Sequence, residues 1–99
     1  MKKIKDYVEH IEEEIEGAKE YAEKYVEYKA KGDMHSANKY KEMAMDELKH
    51  ANYIHEWAVK DIEELSEVYT PPVWMQEKWD HEHKRYVEEA AMVRQILGM

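Results

Sequence analysis

The chain has 99 residues, no cysteine and a formal net charge of −8, with charged side chains at 38% of positions. One domain is the default at that length, too short for four long helices with a complete core and inclined to gain stability by oligomerising. The acidity disfavours nucleic-acid binding, because a negative surface repels phosphate, and the missing cysteines exclude disulfides, thiolate metal sites and cysteine nucleophiles.

Strong helix formers fill most positions, and only three Gly and two Pro interrupt them. The first helical segment spans about residues 2–31. Gly32 stands where a C-cap glycine belongs, and Asp33 follows as an N-cap for the second segment, about 34–69. Thr70-Pro71-Pro72 stops that segment; Thr70 is positioned to cap a third helix with Pro71 in its first turn, running over about 72–97. The expected fold is therefore all-α: a long antiparallel hairpin plus a third helix in one domain, 1–99, completing a four-helix bundle by oligomerisation. No apolar run approaches a membrane span, and the start, MKKIKDYVEHIEEE, has no apolar signal region, so a cytoplasmic protein without membrane contact is expected.

Heptad rows identify the buried faces. Ile4, Ile11, Ala18 and Tyr25 recur every seven residues, with Val8, Ile15 and Ala22 as the companion row. Beside them lies Tyr7, Glu14, Tyr21, Tyr28, an aromatic row broken by one carboxylate. The second segment has a small-residue row, Ala37, Ala44, Ala51, Ala58, Leu65. It is flanked by Tyr40, Glu47, Ile54 and by Met43, His50, Trp57. Glu47 and His50 each replace a large residue at positions expected to face other helices.

Glu47 and His50 are spaced i, i+3 and share a helix face. If the chain reverses at Gly32-Asp33, Glu14 lies 18 residues before Gly32, and Glu47 and His50 lie 14 and 17 after Asp33. At about 1.5 Å per residue the three reach similar depths. Each alone reads better as a hydrogen-bonded structural residue; three polar groups on inward rows at one level meet the requirement of a metal site. Burying two carboxylates is unfavourable without a counter-charge, which a divalent cation provides. Gly17, a costly residue in mid-helix, lies three residues after Glu14, where it either clears space for a ligand or a partner helix or is simply tolerated in a long helix.

At these residues the sequence resembles the ferritin-like superfamily. Glu14 to Tyr21 together with Glu47-Leu48-Lys49-His50-Ala51 resembles the first half of rubrerythrins. The cluster Glu13-Glu14-x-Glu16, Tyr21, and Glu47-x-x-His50-Ala51 ending in Glu56-Trp57 resembles the encapsulated ferritins more closely; the likeness covers roughly residues 8–58. It implies that Glu14, Glu47 and His50 are ligands of a ferroxidase centre shared between two subunits, with Tyr21 nearby and Glu13 and Glu16 guiding iron toward it. On their own rows Glu13 and Glu16 read as solvated. The third segment is longer than that family's short C-terminal helix, and the tail Val93–Met99 continues a helix without a targeting peptide. Encapsulation in a shell and the family's ring geometry are therefore not expected.

In the third segment Trp74, Trp79, Tyr86, Val93 and Leu97 are the expected packing side. Asp80 and His83, within Asp80-His81-Glu82-His83, have the spacing of a second half-site, yet the four point around the helix and read as surface charge. The expectation is a homo-oligomer with an even number of subunits, binding iron, or else manganese or zinc, with ferroxidase activity. The competing expectation is a metal-free helical interaction protein, such as a phage or mobile-element component that kept the fold.

Overall fold

The structure, a computed structural model, describes residues 2–68, 70 and 72–99. It contains three helices, α1 (Lys2–Ala30), α2 (Met34–Val68) and α3 (Val73–Ile96), and no strand among the described residues. No helix is long and apolar enough to cross a membrane.

The reversal between α1 and α2 is built from local chemistry. Gly32 adopts φ +78°, the left-handed conformation that favours glycine. The Gly32 N–H then donates to Lys29 O at 3.0 Å and the Asp33 N–H to Tyr28 O at 3.0 Å, satisfying two carbonyls at the end of α1. Asp33 caps α2 as expected: its Oδ1 accepts from the Ser36 N–H at 3.1 Å, and that bond holds its carboxyl below the ordinary range. The capping of α3 differs from expectation. The cap position is Pro72, extended at φ −57° and ψ 147°, with no side-chain bond, and Thr70 lies outside the helix. The extended Pro72 delays the first helical residue to Val73. The expected place of Pro71 and the expected end of α2 at Tyr69 fall outside the described residues.

Both α1 rows are buried along their length, from Ile4 through Tyr25, and Ala37, Ala44, Ala51 and Ala58 of α2 are completely enclosed against them. Alanine there lets the two helices approach closely. The assembly is a rod of 55 × 20 × 17 Å. At the far end of the hairpin from its turn, the Tyr7 hydroxyl donates to Asp61, tying α1 to α2.

Two long helices side by side leave two grooves, and α3 fills one. It runs parallel to α1: Arg85 Nη1 meets Glu12 Oε1 at 3.6 Å and, further along both helices, Lys19 Nζ meets Glu89 Oε1 at 3.0 Å. Ala90, Val93 and Leu97 are buried in the same core as Ile15, Ala18, Leu48 and Ala51. Trp79 and Tyr86 are half-buried there, whereas Trp74, expected to pack, is 61% exposed and Met75 is buried in its stead. Helical phase explains the exchange, since Met75 rather than Trp74 lies four and fifteen residues before Trp79 and Ala90, on the inward face.

The opposite groove stays open. Tyr7, Glu14, Tyr21 and Tyr28 of α1 and Tyr40 and Glu47 of α2 are all half-buried along it. Tyr28 stacks on Tyr40 with centroids 5.4 Å apart, and Tyr21 lies tilted at 6.1 Å from Tyr40. The row Met43, His50, Trp57 departs from expectation: Trp57 is 62% exposed and Met43 39%. Among the described residues no fourth helix covers it.

Candidate metal centre

Glu14, Glu47 and His50 meet in the open groove. Each offers one donor atom, and those three atoms lie within 4.8 Å of one another; this is the one such group of three or more His and carboxylate residues among the described residues. His50 Nδ1 is 3.6 Å from Glu14 Oε2 and 3.8 Å from Glu47 Oε1. The two carboxylates are mostly shielded by the helices that carry them, whereas the His50 side chain is 52% exposed. The centre is thus recessed on the hairpin side and open toward solvent.

The Glu14 and Glu47 carboxyl groups lie close enough for hydrogen bonding to Glu14 to favour the protonated form of Glu47. That interaction, then desolvation and the charge of Glu14, push Glu47 up from its ordinary 4.5 to about 7, with His50 pulling the other way. Gly17 makes the arrangement possible. A Cβ at that position would stand 2.8 Å from Glu47 Oε2, a distance real Cβ contacts essentially never show. The space that Gly17 clears is filled by the Glu47 carboxylate, reaching across from α2.

Tyr21 stands two turns after Glu14 on the same row and packs against Tyr40. Glu13 and Glu16 are exposed, as their rows suggested. Asp80 and His83 belong to no group of three or more candidate ligands among the described residues. Asp80 Oδ1 accepts from Gln76 Nε2 at 2.9 Å, while the His83 ring stacks on His55, 4.8 Å between centroids.

Two histidines had escaped notice in the sequence. His10 Nε2 lies 3.3 Å from Glu14 Oε1, whereas His50 Nδ1 approaches Oε2. The signal was the i, i+4 spacing of His10 and Glu14, easily overlooked in a helix rich in Glu. His55 is held between Trp79, His83 and Tyr86 of α3 at centroid distances of 4.8–5.9 Å. Its Nε2 is buried with no hydrogen-bond partner, and burial, followed by the neighbouring His83, keeps its pKa low. The His55 and His83 rings are only 15° from parallel.

Comparisons with models of known protein families, with curated proteins and with solved structures give no match.

Proposed function

We propose that this protein is a ferritin-like metalloprotein that binds a divalent transition metal through Glu14, Glu47 and His50, in a centre shared between two copies of the chain. The carrying observation is the convergence of three donor atoms from two helices in the groove that the chain leaves open. Two carboxylates pressed together repel unless a proton or a cation lies between them, and a divalent cation displaces the proton at neutral pH. Carboxylate and imidazole donors suit iron, manganese and zinc.

Dinuclear carboxylate bundles use two Glu and two Glu-x-x-His, and one chain supplies half of that set. A second copy across a two-fold axis completes it and covers Met43 and Trp57, the exposed apolar residues one heptad either side of His50. Iron(II) is then the substrate, and the oxidation by dioxygen implied by the resemblance is chemistry that the metal itself supplies. This chain's residues hold and orient the ion, with Tyr21 a phenol one heptad beyond Glu14 on the same row of α1.

Metal analysis of protein purified without chelator, light scattering, and oxygen consumption on anaerobic addition of iron(II) test the proposal. The expected result is bound metal, an even subunit number and oxygen uptake that Glu47→Ala abolishes. A chain that binds no iron, manganese or zinc and stays monomeric over a wide concentration range would overturn it. That outcome would favour a metal-free helical interaction protein, in which the shared proton and the imidazoles of His10 and His50 satisfy Glu14 and Glu47.

A further inference from the structure

Glu14 has an imidazole at each of its two oxygens: His50 Nδ1 at 3.6 Å from Oε2 and His10 Nε2 at 3.3 Å from Oε1. Two donors bound to one ion at about 2.0–2.2 Å each stand about 3.0–3.5 Å apart, depending on the angle between them. His10 and Glu14 already have that separation. It is tighter than either separation from His50, 3.6 and 3.8 Å, within the three-residue centre.

The contact is also unlike an ordinary structural use of a histidine. The His10 side chain is 55% exposed, so it fills no core space, and it lies one turn before Glu14. Nothing on α2 competes for its Nε2 among the described residues. Spacing i, i+4 on a helix brings two side chains to one face, the arrangement by which helices chelate a single ion. Glu14 Oε2 meanwhile faces Glu47 and His50. A carboxylate whose two oxygens face separate nitrogen donors is placed to bridge two cations.

We propose that His10 is a further metal ligand, holding a second divalent cation jointly with Glu14 Oε1, so that Glu14 bridges two ions within one chain. The inference rests on the centre formed by Glu14, Glu47 and His50. The second ion binds more weakly than the first, because it has two protein donors in place of three and a more exposed position. Its remaining coordination positions are filled by water or by a second copy of the chain.

Zinc(II) titration of the full-length chain, followed by the imidazole 15N resonances and by equilibrium dialysis, tests the proposal. The first equivalent is expected to shift His50 Nδ1, and further zinc to shift His10 Nε2, with saturation near two ions per chain. His10→Gln is expected to retain the first event and to lower affinity for the second ion by at least about tenfold. Saturation at one ion per chain with His10 unmoved, or unchanged stoichiometry in His10→Gln, overturns the role of His10 while leaving the three-residue centre in place. If the wild-type chain takes up no zinc, both fall.

Discussion

Replacing Glu47 with Gln tests the shared proton directly, in metal-free protein held in chelator. The Gln amide keeps a donor for Glu14 but cannot ionise. In the wild-type protein the folded state holds the Glu47 proton up to about pH 7, whereas an ordinary glutamate releases it near 4.5. A carboxyl whose pKa is raised by folding destabilises the fold once it must ionise. The penalty is absent below pH 4.5, grows between 4.5 and 7, and is complete above 7. At about 1.4 kcal/mol per tenfold change in proton affinity, the full rise sets a ceiling of about 3.4 kcal/mol. Water reaches the groove and the Glu47 side chain is 26% exposed, so screening brings the expected effect to about 1–2 kcal/mol. In a chain of this size that is about 4–15 °C in melting temperature. Melting temperatures of wild type and Glu47→Gln at steps from pH 4 to 8 should therefore diverge across the window, with the variant gaining on wild type as pH rises. A difference that stays constant with pH would mean that no proton is shared between Glu14 and Glu47.

Other perturbations probe the same groove and its neighbour. Glu14→Ala, Glu47→Ala and His50→Ala should each abolish tight metal binding while circular dichroism shows unchanged helicity, since alanine is a strong helix former and these groups lie outside the enclosed core. Metal at a hundred times its dissociation constant should stabilise the wild type by about 2.7 kcal/mol, and a melting curve indifferent to iron(II), manganese(II) and zinc(II) would count against the centre. Gly17→Ala places a methyl 2.8 Å from the present position of Glu47 Oε2, so the carboxylate must move. Metal affinity is expected to fall about tenfold with helicity unchanged, and wild-type affinity in this variant would show that the clearance is incidental. His55→Phe addresses the other groove. Because the folded state keeps the His55 pKa low, the wild type loses stability as pH falls through the imidazole range. The phenyl ring keeps the stack with Trp79 and Tyr86 and removes the charge, so thermal melts of the variant should be less acid-sensitive; identical pH slopes for the two proteins would exclude His55 as the cause.

Residue periodicity by itself determined the helices and their buried faces. The rows from Ile4 to Tyr25 and from Ala37 to Ala58 are one-dimensional records of which side of each helix avoids water, and a helix preserves that record without knowledge of its partners. The turn was equally legible, because Gly32 and Asp33 act within a few residues of themselves. Glu14, Glu47 and His50 were legible as a level-matched set because an antiparallel hairpin converts sequence distance from its turn into depth. Only the tertiary structure decided which of the two grooves α3 fills, and so that Trp57 and Met43 stand exposed. That choice depends on side-chain fit between helices far apart in the chain, and no local spacing encodes it. The same holds for His55, whose imidazole became enclosed when α3 settled over it. Gly17 lies between the two cases: it was visible beside Glu14, but its relation to the Glu47 carboxylate exists only once α2 packs against α1 at that level, whereas His10 and Glu14 meet within α1 alone.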